Sequence, residues 1–125
     1  MLFRFREFRI YKDALIFRSE IYKITKKLPK EELYCFTSQI RRAVNSIVLN
    51  IAEGSNRNSD LDFRRFLYHS LTSLEEVVAC LDIALAENYI DEREQEELLN
   101  KSESIGKQLI AFINKLTAES TRPNA

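Results

Sequence analysis

Apolar residues recur along this chain in alternating steps of four and three, the pattern of helices that each bury one face. Ile10, Ala14, Phe17, Ile21, Ile24 and Leu28 form the first stripe. The pair Leu28–Pro29 predicts its end, because proline pushes the preceding residue out of the helical region. Ile40, Val44, Ile47 and Ile51 form a second stripe, with Gly54 expected as its C-terminal cap. The run Ser55–Ser59, SNRNS, is the most turn-like in the chain. Ser59 with Asp62 predicts a capping box for a third helix, whose stripe is Phe63, Leu67, Ser70, Leu74, Val77, Leu81 and Ala84. Asp91 with Glu94 marks a fourth start, followed by Leu98, Ser102, Ile105, Leu109, Phe112 and Leu116.

The spacing predicts helices over 8–28, 37–53, 60–88 and 92–118, all in one domain of residues 1–118. The connection 30–36 reads either as a loop or as an early turn of the second helix. Glu119–Ala125, ESTRPNA, has no periodicity and is expected to be a flexible tail. Four amphipathic helices with short connections predict an all-α, antiparallel up-and-down four-helix bundle. Two glycines and two prolines in 125 residues leave too few turn positions for a sandwich or barrel. Leu71, Val78 and Leu85, then Leu99 and Ile113, exceed what one seam per helix needs, and Phe3, Phe5 and Phe8 crowd the N-terminus. They fit either a wide core stripe or burial against a second subunit.

Net charge is zero, yet residues 1–69 hold 14 Lys/Arg against 8 Asp/Glu while residues 70–125 hold 5 against 11. The halves either neutralise each other or present a basic face to an anionic partner. Cys35 and Cys80 lack metal-ligand spacing and read as free thiols of a cytoplasmic protein. No apolar run nears the roughly 18 residues of a membrane span, and the basic, aromatic start MLFRFREFRIYKD lacks a signal-peptide core. No membrane partner is expected. Candidate chemistry is sparse. His69 is the only histidine, Glu75 and Glu76 diverge by about 100° on a helix, and no glutamate stands three residues before His69 as di-iron bundles require. Glycine motifs that cradle phosphate are missing. The expectation is a non-enzymatic protein with no catalytic residue, metal site or cofactor.

The second segment carries more information. Gln39, Arg42, Ser46, Asn50 and Glu53 fall within an arc of about 80° that borders the apolar face. Partly buried polar groups need partners. Arg42 and Glu53 are about 16 Å apart along a helix, so Arg42 is expected to look to Ser73, Glu75 or Glu76 on the third helix.

The run SQIRRAVNSIVLNIAEGSNRNS followed by DFRRFLYHSLTSLEE, after the opening YKDALIFRSEIYKITKKLP, resembles the family of ribosomal RNA intervening-sequence proteins. The resemblance rests most on QIRRA at Gln39–Ala43, NIAEG at Asn50–Gly54 and SLEE at Ser73–Glu76, and covers nearly the whole chain. It implies a four-helix bundle assembled into a ring-like homopentamer. It also implies a relation to the accessory protein of diversity-generating retroelements, which works with a reverse transcriptase and binds nucleic acid. Of the motif residues, Gln39, Arg42, Asn50, Glu53, Gly54, Ser73 and Glu76 are expected to serve structure or an interface. Arg41, Arg42, Arg57, Arg64 and Arg65 are the candidate RNA or DNA contacts, with Arg4, Arg6, Arg9 and Lys12 as a further basic run. A ring would multiply modest phosphate contacts into salt-sensitive affinity, whereas the pI near 6.6 opposes a strongly basic binder. The sequence therefore reads as an oligomeric nucleic-acid-associated scaffold. The alternative is a protein–protein interaction module, such as an accessory protein to a reverse transcriptase.

Overall fold

A computed structural model describes residues 2–120, so residues 121–125 of the expected tail lie outside the described residues. Four helices follow in order: α1 (Arg9–Thr25), α2 (Phe36–Ser55), α3 (Asp60–Ala86) and α4 (Glu92–Ser120). Short 3-10 turns at Arg4–Glu7 and Lys30–Glu32 precede α1 and α2. Each helix packs on the next and α1 closes against α4, which makes an all-α up-and-down bundle.

Paired contacts fix the antiparallel register. On the α1–α4 side Phe8 meets Phe112, Asp13 accepts from Gln108, Glu20 pairs with Lys101 and Lys27 with Glu94. On the α2–α3 side Ser46 meets Ser73 and Ile47 meets Ser70. The α2–α3 contact is the most extensive and α1–α4 the thinnest. No helix among the described residues is long and apolar enough to cross a membrane.

The predicted stripes converge on one core. Ile10, Ala14, Phe17 and Ile21 of α1 and Ile40, Val44, Ile47 and Ile51 of α2 are all buried. So are all seven predicted positions of α3, from Phe63 to Ala84. On α1 the buried position near the end is Thr25 rather than Ile24, and on α4 Ile113 lies deeper than Phe112. Of the surplus apolar residues, Leu71, Leu85 and Leu99 pack half-buried against the core and Ile113 is inside it. This is the wide-stripe arrangement.

Both predicted N-terminal caps form, the second as a full capping box and the first by its Ser59 half alone. Ser59 Oγ accepts from the Asp62 amide at 3.1 Å. Asp91 and Glu94 cap reciprocally, Glu94 N–H donating to Asp91 Oδ1 at 2.8 Å and Asp91 N–H to Glu94 Oε1 at 3.0 Å.

The C-terminal end of every helix departs from the sequence reading, α4 by running to Ser120, two residues into the expected tail. Helix α1 stops at Thr25, because its hydroxyl bonds the Tyr22 carbonyl at 3.0 Å while Lys27 and Leu28 close tight three-residue turns. Helix α3 stops at Ala86, because Asn88 takes the left-handed conformation (φ 60°). Tyr89 N–H then reaches the Ala84 carbonyl at 2.8 Å and Asn88 N–H that of Leu85 at 3.0 Å, a Schellman closure with asparagine in the place of glycine. Gly54 is not the cap of α2. It lies inside the helix, which runs to Ser55, and its φ is negative. Its function is proximity: a β-carbon there would stand 2.8 Å from Phe66 Cβ and 2.9 Å from Phe63 Cδ1. The true end of α2 is held by Arg4, whose Nε and Nη2 donate to the Ser55 carbonyl at 3.3 and 3.0 Å.

Candidate nucleic-acid interface

The polar arc of α2 divides into a joined middle and free ends. Ser46 and Asn50 are half-buried: Asn50 Nδ2 donates to Ser46 O (2.9 Å) and Ser46 Oγ (3.0 Å), and Ser73 Oγ of α3 donates to Ser46 Oγ at 2.9 Å. One turn away the fully buried Ser70 hydroxyl donates to the Ile47 carbonyl at 2.9 Å. Small residues at Ser46, Ser70 and Gly54 thus let α2 and α3 approach closely and satisfy one another. Gln39, Arg42 and Glu53 are exposed. Arg42 forms no ion pair with Glu75 or Glu76; it shares an open depression with Gln39 and Glu76, beside Cys35. The pairing expected for Arg42 is therefore absent, since Ser73 is engaged by Ser46 and the glutamates point to solvent.

Arg41 has a different setting from its neighbour. It is half-buried, its Nε donating to Thr25 Oγ1 at 2.9 Å and its guanidinium lying 4.6 Å from the Tyr22 ring centroid. Arg18 of α1 lies 4.0 Å from the same centroid, and its Nε donates to Asn45 Oδ1 at 2.6 Å. Asn45 Nδ2 in turn donates to the Tyr22 hydroxyl at 2.8 Å. Two guanidinium groups and a tyrosine so knit α1 to α2 without a carboxylate. Arg18, Tyr22 and Asn45 were not singled out in the sequence. The signal was there in Arg18 and Tyr22 one turn apart, opposite a helix whose only acid is Glu53.

A second basic group gathers where α2 turns into α3. Arg57 lies 4.5 Å from the Phe66 ring centroid and Arg65 5.7 Å from it. Arg65 also pairs with Asp62 at 2.6 Å, whereas Arg57 has no carboxylate partner among the described residues. Arg64 extends to α4, with Nη1 3.4 Å from the Leu116 carbonyl oxygen. The docking of Arg4 brings the N-terminal run to this end. Arg4 itself is used in capping and lies 5.8 and 5.7 Å from the Phe8 and Phe63 rings. Arg9 pairs with Asp13 and Lys12 with Glu7, which leaves Arg6 exposed and unpaired. Arg6, Arg57, Arg64 and Arg65 thus share one end of the bundle.

The remaining reactive groups are dispersed. Burial pushes the Cys80 thiol above its ordinary range, and the Glu76 carboxylate adds to the effect. Cys35 is exposed and neither cysteine is bonded. His69 is exposed beside Phe66, ring centroids 5.9 Å apart. Among the described residues no three His, Cys, Asp or Glu side chains are grouped to hold a metal ion. On the outer face of α3, Leu61, Tyr68 and Ile83 are 69%, 53% and 49% exposed, separated along the helix by the exposed Arg65, Thr72, Glu75 and Glu76.

Comparison with known proteins gives one family and one informative structure. The family model described as 23S rRNA-intervening sequence protein matches residues 6–111. A crystal structure of a protein of unknown function from the S23 ribosomal protein family of Bacteroides thetaiotaomicron is similar in fold, with a TM-score of 0.77 and 28% sequence identity. The match covers 83% of this chain and 97% of that one. No curated protein matches.

Proposed function

Because the chain belongs to the 23S rRNA-intervening sequence protein family, we propose that it is a non-enzymatic, cytoplasmic, oligomeric scaffold that binds structured RNA, ribosomal RNA foremost. The observation that carries the reading is Arg57: exposed, stacked on Phe66 beside Arg65, and without a carboxylate partner. Arg6 and Arg64 stand at the same end of the bundle. A planar guanidinium on an aromatic support is pre-organised for phosphate. One such end on a chain of zero net charge is a weak site. Repetition in an assembly makes it an effective one.

The assembly we propose is the homopentamer implied by the family resemblance. Native mass spectrometry tests it, and a monomer at micromolar concentration refutes it.

RNA binding is tested by gel-shift titration against structured RNA at two salt concentrations. Retardation at low salt that weakens steeply with added salt is expected. No retardation at low salt refutes the reading. Given binding, the double variant Arg57→Ala/Arg65→Ala should bind more weakly, with a shallower salt slope by about 1 for each phosphate that is no longer neutralised.

A further inference from the structure

The Arg18–Tyr22–Arg41 cluster gathers two positive charges with no carboxylate partner among the described residues. Both guanidiniums touch one ring, so their central carbons can be no further apart than the two ring distances of 4.0 and 4.6 Å combined. Two like charges within that limit repel, a cost that the tyrosine ring and solvent offset in part and that a bound anion would turn into attraction. The acids of the two helices are committed elsewhere. Asp13 faces α4 through Gln108 and pairs with Arg9, and Glu20 pairs with Lys101 of α4. Glu53 stands twelve residues beyond Arg41, about 18 Å along α2. No carboxylate among the described residues forms an ion pair with either arginine.

The two side chains are nevertheless held still. Arg18 is fixed through Nε to Asn45 Oδ1 and Arg41 through Nε to Thr25 Oγ1. With Nε committed, each guanidinium keeps its two terminal nitrogens and their four N–H donors free. Both residues are half-exposed, so those donors are open to a ligand. Fixed, unpaired, doubled guanidiniums on a half-buried ring are what a bidentate oxyanion site requires. Tyr22 is itself half-buried, with its hydroxyl bonded to Asn45 and its ring against both cations. The site therefore presents two guanidinium forks whose geometry matches the paired oxygens of a phosphodiester.

We propose that Arg18 and Arg41, braced on Tyr22 at the α1–α2 edge, form a clamp for a backbone phosphate of nucleic acid. The clamp rests on the nucleic-acid reading above. It deepens that reading by adding a second contact, distinct from the Arg57 end and indifferent to sequence. The bound strand then runs along the α1–α2 side of the bundle toward the basic end.

The test uses the full chain with a structured RNA and a DNA duplex of equal length. Arg18→Gln/Arg41→Gln should bind both at least about fivefold more weakly at low salt, with a salt slope shallower by about 1 for each phosphate that is no longer held. Arg18→Lys/Arg41→Lys, which keeps the charge but loses the fork, should recover only part of that affinity. Far-UV circular dichroism confirms that the variants fold. If the wild-type chain binds RNA and the glutamine variant binds with the same affinity and slope, the clamp is overturned while the RNA reading stands. A weakening confined to RNA also overturns it, because phosphodiesters are common to both ligands. If the wild-type chain binds neither nucleic acid, the RNA reading fails and the clamp is decided separately. Inorganic pyrophosphate is then titrated while the arginine Nε–Hε signals are followed by NMR. Arg18 and Arg41 moving together, with Arg42 still, keeps a phosphate site there; signals that do not move remove it.

Discussion

Replacing Gly54 by alanine and, separately, Gly106 by alanine makes one chemical change in two helices, and the two should shift stability in opposite directions. At Gly54 the added carbon would meet Phe66 Cβ at 2.8 Å and Phe63 Cδ1 at 2.9 Å, against an ordinary carbon–carbon contact of about 3.5–4.0 Å. Phe66 Cβ is tied to the α3 backbone and has no rotamer to escape into. The helices must part locally by roughly 0.7 Å or the last turn of α2 must unwind. Overpacking of this kind costs about 1–3 kcal/mol, offset by up to about 1 kcal/mol of helix propensity, and by less than that in a final turn. The net is a loss of about 1–2 kcal/mol. At Gly106 the nearest atom is Leu74 Cδ2 at 3.4 Å, the movable tip of a side chain, and φ is not positive. There the propensity gain survives, at about 0.5–1 kcal/mol. Thermal and urea unfolding followed by circular dichroism measure both, with about 4 °C of Tm expected per kcal/mol for a chain of this size. A Gly54→Ala protein as stable as wild type would refute the close-approach account of this glycine.

Two further expectations concern the α3–α4 connection and α4's first turn. Asn88→Gly should be neutral or slightly stabilising, whereas Asn88→Val should lose about 1–2 kcal/mol, because a β-branched residue resists the left-handed backbone (φ 60°) seen there; equal melting temperatures for the two would refute the Schellman closure. Glu94 titrates below its usual range because the Lys27 ammonium hydrogen-bonds it, with the Asp91 amide adding to the effect. Its folded pKa lies below its unfolded one, so its stabilisation is full above the ordinary glutamate value of about 4.3 and disappears as pH falls through the depressed pKa. Glu94→Gln should therefore flatten the loss of urea midpoint between neutral and acidic pH; an unchanged pH slope would count against the Lys27 contact.

The helices were legible in the sequence because burial imposes a period, and the stripe from Phe63 through Ala84 kept it along nearly all of α3. Both helix caps, at Ser59 and at Asp91, were legible because they are local, each closed within four residues. What escaped was the long-range use of groups whose local roles looked different. Gly54 resembled a helix cap, since nothing near it in sequence reveals that Phe63 and Phe66 fold back against it. Arg4 resembled a phosphate contact, yet its bond to Ser55 crosses 51 positions. Arg41 and Arg42 resembled a pair. The helix turns them about 100° apart, which puts one in the α1–α2 cluster and the other in solvent. The hydroxyls of Ser46, Ser70 and Ser73 fall between these cases: their need for partners was readable, their choice of each other was not.

The α1–α4 contact, the thinnest in the bundle, leaves apolar packing little power to choose between alignments one heptad apart. The charges supply that choice. Glu20 on α1 and Lys27 just beyond its end are seven residues apart, as are Glu94 and Lys101 on α4; each couple runs Glu then Lys, so the antiparallel packing sets opposite signs side by side. Sliding α4 by seven residues one way brings Lys101 to Lys27; sliding it the other way brings Glu94 to Glu20. Either error replaces attraction with repulsion, as charged flanking positions do in coiled coils. A pair of exposed bridges worth little to stability can thus act as a code for alignment. Exchanging the signs on one helix alone should scramble how the bundle closes, and exchanging them on both should restore it.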